Sequence, residues 1–210
     1  SCSPDFGDDA IHDRFSQIEP SVLVTMDAAS YNGKRTDVLA KVRKVLPNLP
    51  SVKTLVVASV GQASSLSEKL DRLEACPKMV SFHNAIADVP STFTFERFLF
   101  DHPGFILYSS GTTGAPKCIV HSTGGTLLQH IKEHQLHSDV KPGDRLFYFT
   151  TTGWMMWNWL VSGLASRATI VLYDGSPLYP TPDTLWEFAA RTHITQFGAS
   201  AKYYSHLEKV

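Results

Sequence analysis

Short apolar runs of strand type alternate with segments whose apolar residues recur every three or four positions. This alternation restricts the possible folds more than any other feature of the chain. Ile11, Phe15 and Ile18 share one face of a helix expected over residues 8–19. Pro20 stops it, and residues 21–26 form a short apolar strand. Thr36 is placed to cap a second helix carrying Val38, Leu39, Val42, Val45 and Leu46. After the turn between Pro47 and Pro50, residues 53–58 form another buried strand. A helix–strand–helix–strand order predicts an α/β fold, a mostly parallel sheet flanked by helices.

Residues 59–92 are less regular. The serine-rich stretch 59–67 and the segment around Pro90 read as surface connections, as in an insertion or a loop. Order returns with strands at 105–108 and 117–120 and a helix at 124–137. A strand at 145–150, a helix at 154–166 and a strand at 168–173 follow, then a helix at 182–192 and a strand at 193–198. No repeat and no low-complexity tract interrupts the series.

With 43% hydrophobic residues among 210, the chain can bury a sizeable core in one or two domains. A net charge of -1 leaves no cationic excess for a nucleic-acid backbone or an anionic membrane surface, so neither is an expected partner. The longest apolar stretch, residues 153–165, falls short of the ~20 residues a membrane span needs, and Asn158 and Ser162 interrupt it. Cys2, Cys76 and Cys118 have no CxxC spacing and are odd in number, which points away from a disulfide framework and towards a reducing compartment. The chain opens on Ser1 in a loop-like run without a secretion signal and stops at Val210 inside a helix-like pattern. It therefore reads as a segment of a longer protein.

The loop between the strands at 105–108 and 117–120 carries the chemistry. It reads Ser109-Ser110-Gly111-Thr112-Thr113-Gly114-Ala115-Pro116-Lys117. Glycines let successive backbone N–H groups converge on one point, a concave nest for phosphate oxygens. The hydroxyls of Ser110, Thr112 and Thr113 add donors, and Lys117 adds a full positive charge. The run does not fit a Walker A loop, because Ala115 and Pro116 separate Gly114 from the lysine and a strand is expected next in place of a helix. A plain flexible connection is the alternative reading of such a Gly/Ser/Thr cluster.

The nine-residue string resembles the phosphate-binding signature of the adenylate-forming superfamily. His121-Ser122-Thr123-Gly124-Gly125 and Tyr173-Asp174-Gly175-Ser176-Pro177, with Trp186 beyond, are similar to its acetyl-CoA synthetase branch. Residues 1–7, 129–137 and 151–159 are closer to the acetoacetate-activating group within that branch. The resemblance covers nearly the whole chain and is weakest over 59–92. It implies that residues 1–210 are part of the large N-terminal AMP-binding domain, without the mobile C-terminal domain. It also implies a two-step ligation using ATP with Mg²⁺, acetoacetate and CoA in the cytosol. Acetate or another short acid is the alternative substrate, and a truncated nucleotide-binding or partner-binding form is the alternative to an enzyme.

By motif, Ser109, Ser110, Gly111, Thr112, Thr113, Gly114 and Lys117 would contact the β- and γ-phosphates, with Thr112 and Lys117 as catalytic candidates. Trp154 would wall the acyl pocket. Met156 stands where acetyl-CoA synthetases carry a small hydroxylated residue near the CoA tunnel. Core packing is the competing reading for Trp154, and the better one for Trp157 and Trp159. His130, His134 and His137 share one helical face at i, i+4 and i+7. A partly exposed helix face is the preferred reading there, and no metal site is expected. The adenine, ribose and hinge motifs of the superfamily are not found in these residues, so the 210 residues alone are expected not to complete the reaction.

Overall fold

The computed structural model describes residues 1–4, 6–59, 78–87, 89–90, 92–109, 114 and 116–209. The chain divides into two compact units. One comprises Pro4–Arg97 with Tyr108–Cys118; the other comprises Ser1–Ser3, Phe98–Leu107 and Ile119–Val210.

In the first unit, helix α1 (Asp8–Ile18) ends on Glu19 in the left-handed region and leads into strand β1 (Val22–Met26). Then comes a hairpin that the sequence reading does not contain, β2 (Ala28–Tyr31) and β3 (Lys34–Asp37). Its turn is Asn32-Gly33, with φ of 50° and 73°, the pair of positive values that a tight two-residue turn needs. Thr36 lies in β3 and caps nothing. The cap of helix α2 (Val38–Val45) is Asp37, whose carboxylate accepts from the Ala40 amide at 3.0 Å. Strand β4 (Thr54–Ala58) pairs in parallel with β1 and with β5 (Met79–Ser81), giving the order β1-β4-β5. A short helix α3 (Phe82–Ala87) follows. The irregular 59–92 stretch thus contains a strand and a helix; its residues 60–77, 88 and 91 lie outside the described ones.

Leu39, Leu46, Leu55 and Val57 centre the core, with Phe15 and Leu23 packed against it. The opposite side of β1 stays open, with Val22, Val24 and Met26 exposed by 52%, 62% and 37%.

In the second unit, the sheet has the order β10-β8-β9, all parallel: β8 (Arg145–Tyr148), β9 (Thr169–Ile170) and β10 (Gln196–Gly198). Successive residues of β8 point to opposite faces. Leu146 joins Val140, Leu160 and Ala168 on one side, while Phe147 joins Val171, Leu185 and Tyr203 on the other. Both faces are therefore buried, as parallel sheets require. The expected strands shrink at their ends. β9 keeps two residues of 168–173, and β10 keeps three of 193–198.

Strand β6 (Pro103–Tyr108) pairs with β7 (Cys118–Ser122), and β7 runs into helix α4 (Thr123–Lys132). Ser122 caps α4 by accepting from the Gly125 amide at 3.3 Å. The helix then widens into a π turn, Glu133–His137. Helix α5 (Met155–Ser162) starts after Trp154 and tightens into a 3₁₀ turn, Gly163–Ser166. Helices α6 (Thr184–Thr192) and α7 (Ala201–Leu207) complete the unit.

Candidate functional site

Segment 109–117 joins β6 to β7. At its mouth the Ser109 amide donates to the Lys117 carbonyl at 3.0 Å, and the Lys117 amide donates to Ser109 Oγ at 2.9 Å. This reciprocal pair holds the two ends of the loop together. Helix α1 adds anchors: Gln17 Nε2 donates to the Pro116 carbonyl at 2.9 Å, and the Tyr108 hydroxyl donates to the Arg14 carbonyl at 2.8 Å. The Arg14 guanidinium in turn lies over the Phe6 ring, 4.7 Å from its centroid.

Gly114 has φ of +142°, a region that side chains other than glycine rarely enter. No atom lies within 4 Å of where its Cβ would stand, so backbone conformation and not crowding selects glycine here. Lys117 is exposed, and among the described residues no carboxylate pairs with its ammonium. Of the predicted phosphate contacts, Ser109, Gly114 and Lys117 are described; Ser110, Gly111, Thr112 and Thr113 lie outside the described residues.

The second unit holds a cavity of about 720 Å³ lined from β6, β7, α4 and α5. Leu107, Met155, Met156 and Trp159 give it apolar walls, and Gln129, His130 and Asn158 bring polar groups to it. Met156 thus stands at the cavity. Trp154 is 65% exposed and is not among the lining residues, so the core-packing alternative fails for it. Trp157 and Trp159 do pack on the Leu146–Leu160 cluster, and Trp159 also faces the cavity. Met155 and Asn158 are lining residues that sequence reasoning missed. A polar residue inside the apolar run 153–165 was the available signal for Asn158.

The histidine face is buried at two of its three positions and exposed at the third. His130 is 7% exposed and His134 is fully buried, while His137 faces solvent. His130 Nδ1 lies 2.8 Å from Ser162 Oγ, and that hydroxyl donates to the Asn158 carbonyl at 2.8 Å. His134 Nε2 donates to the Trp159 carbonyl at 2.8 Å, with the two rings 4.1 Å apart. That carbonyl lies in the last turn of α5, where helix carbonyls lack intrahelical partners. His134 therefore caps α5 from a neighbouring element. Burial pushes both imidazoles below the ordinary histidine value. For His130 the nearby His134 and His121 add to the effect while Glu133 opposes it. For His134 the bond to Trp159 and the charge of Glu133 oppose it. The Lys132 ammonium, 2.8 Å away, holds the Glu133 carboxyl below its usual range. Among the described residues no group of three His, Cys, Asp or Glu side chains converges on a metal position, and no helix is long and apolar enough to cross a membrane.

The family model for the AMP-binding enzymes matches residues 1–208. The chain belongs to the AMP-binding enzyme family. Within it, an acetoacetyl-coenzyme A synthetase of Rhizobium meliloti (strain 1021) is 49% identical over 209 residues, which is 100% of this chain and 31% of the relative. A malonamoyl-CoA synthetase of Penicillium aethiopicum is 46% identical over 220 residues, 99% of this chain and 30% of the relative. Among solved structures, acetoacetyl-CoA synthetase from Streptomyces lividans matches with a TM-score of 0.87 at 44% identity, covering 100% of this chain and 31% of that one. The chain thus spans about a third of the length of these AMP-binding relatives. Its α/β fold, with parallel sheets and flanking helices, is that of the family member solved.

Proposed function

We propose that this chain supplies the phosphate loop and part of the acyl pocket of an acid–thiol ligase, one that joins acetoacetate to CoA through an acetoacetyl-adenylate. The observation that carries the reading is the clamped loop 109–117, set in a chain that matches the AMP-binding family over residues 1–208. A carboxylate oxygen of the acid attacks the α-phosphorus of ATP, the bond to the bridging oxygen breaks, and pyrophosphate leaves. The CoA thiol then attacks the acyl carbonyl, loses its proton, and AMP leaves.

The residues act on these steps by positioning and charge. Loop amides and hydroxyls bind the β- and γ-phosphates, and the Lys117 ammonium offsets the charge that grows on the departing pyrophosphate. Thr112 is assigned to the same contact. Trp154 and Met156 are assigned to the acyl group, supported for Met156 by its place in the cavity lining. Mg²⁺ would accompany the ATP and offset the charge of the departing pyrophosphate. Residues 1–210 act as part of the AMP-binding domain, the cytosol is the compartment of this reading, and the 210 residues alone do not turn over.

Acetoacetate is favoured by the names of relatives at 44–49% identity. The malonamoyl-CoA synthetase at 46% supports a second reading, an acid whose third carbon carries an amide. The test is acid-dependent pyrophosphate exchange by the complete product of the reading frame that carries this chain, compared across acetoacetate, malonamate, acetate and butyrate. Exchange with acetoacetate is the expected result; exchange with none of the four refutes the reading. Lys117→Ala should slow exchange at least about tenfold while leaving the KM for the acid nearly unchanged, since a charge-assisted contact to a developing anion is worth more than about 1.4 kcal/mol. Unaltered exchange in that variant removes Lys117 from the assigned role.

A further inference from the structure

Polar groups enclosed in a protein are normally bonded to other protein groups. Two largely buried residues at the cavity instead keep polar atoms open to it. Asn158 is 8% exposed, lines the cavity, and its side-chain amide has no hydrogen-bond partner among the described residues. His130 is 7% exposed and lines the same cavity; its Nδ1 is held by Ser162, and its Nε2 has no partner among the described residues. Neither amide nor imidazole is among the side-chain atoms sealed from solvent without a partner, so both remain reachable from the cavity. The arrangement is that of a prepared contact: the imidazole is fixed in orientation through one nitrogen, and the other is left for a ligand.

The Ser162 hydroxyl has a single hydrogen. Directed at the Asn158 carbonyl, it makes His130 Nδ1 the donor and leaves Nε2 an acceptor. Turned to Nδ1, it places the imidazole hydrogen on Nε2 and makes that nitrogen a donor. The second arrangement requires the Ser162 hydroxyl to rotate away from the Asn158 carbonyl when ligand binds; together with the Asn158 NH₂ it then offers two donors to one carbonyl oxygen. Leu107, Met155, Met156 and Trp159 enclose these donors in apolar surface, where a hydrogen bond discriminates more sharply than in water. Glu133, kept anionic by Lys132, lines the same cavity and opposes a second carboxylate.

We infer that Asn158 and His130 form the recognition site for the carbonyl on the third carbon of the acid. The acyl groups in the names of both relatives, acetoacetyl and malonamoyl, carry such a carbonyl, one as a ketone and one as an amide. The inference rests on the proposed ligase reading with the acyl group in this cavity. Asn158 and His130 then select the acid, with Ser162 as the positioning residue behind His130.

The test uses the complete product of the reading frame and compares kcat/KM in pyrophosphate exchange for acetoacetate and butyrate, equal in carbon count and differing by the one oxygen. Asn158→Leu should lower the acetoacetate-to-butyrate ratio about tenfold or more, and so should His130→Leu, because a site built to bond an oxygen rejects the analogue that lacks it. His130→Gln, which can still donate, should retain more of the ratio than His130→Leu. If Asn158→Leu fails to fold, Asn158→Ser removes the amide in a smaller side chain and gives the same readout. A ratio unchanged in the leucine variants, or in Asn158→Ser and His130→Leu, overturns the inference and leaves the ligase reading intact. A wild-type protein that exchanges with neither acid fails the ligase reading itself, and the inference falls with it.

Discussion

Replacing His134 by leucine tests whether a buried imidazole holds the end of α5. The side chain is fully buried, and its Nε2 is the donor that satisfies the Trp159 carbonyl at 2.8 Å. Leucine fills much of the same volume but leaves that carbonyl without its donor, a loss of about 1–3 kcal/mol for a buried acceptor. Part of this is returned, since Nδ1 of His134 is itself enclosed without a partner and leucine has no such atom. The net expectation is a destabilisation of about 1–2 kcal/mol. Urea unfolding followed by tryptophan fluorescence reads the effect where it occurs. All four tryptophans fall between residues 154 and 186, within the unit that contains His134.

The pH dependence gives a second arm. His134 and His130 both have values depressed below the ordinary 6.5. Below that value the unfolded chain takes up protons that the folded chain refuses. Wild-type stability is therefore present in full above 6.5 and declines as pH falls through the depressed folded values. His134→Leu removes one of the two contributors, so the gap between variant and wild type should narrow on the acid side. A variant as stable as the wild type at neutral pH, or a gap that ignores pH, would refute the capping argument.

Two further substitutions probe the framework. Gly198→Ala should destabilise the second sheet by about 1–3 kcal/mol, because its Cβ would sit 2.4 Å from Cδ2 of the Tyr148 ring on the paired strand; an unchanged urea midpoint would count against it. Asp37→Ala should cost about 1 kcal/mol by removing the cap of α2, whereas Thr36→Ala should cost less; equal effects in thermal unfolding would contradict the assignment of the cap.

The strands at 22–26 and 54–58 were legible because their short apolar runs are rich in β-branched residues and bounded by Pro20 and by the turn between Pro47 and Pro50. Of the 109–117 connection, the ends at Ser109 and Lys117 fall between paired strands as expected, while Ser110, Gly111, Thr112, Thr113 and Ala115 lie outside the described residues. The β2–β3 hairpin carried its own signal in Asn32-Gly33 and was still passed over, since Thr36 and the apolar residues after it suggested a helix start. The burial of His130 and His134 could not be read. It depends on Ser162 and Trp159, which lie 32 and 25 residues away along the chain. The cavity is likewise a product of tertiary packing, as its lining comes from separate strands and helices. Trp154 shows the converse: a residue that local pattern assigned equally to core or pocket begins its helix largely in water.

The uncovered side of β1 has a practical outcome for anyone handling these residues. Val22, Val24 and Met26 form an oily ridge on β1, which among the described residues is an edge strand, and such an edge can recruit a second molecule. Preparations of this polypeptide by itself will tend to stick to one another as concentration rises, and a lysine in place of Val24 is the simplest way to keep them apart.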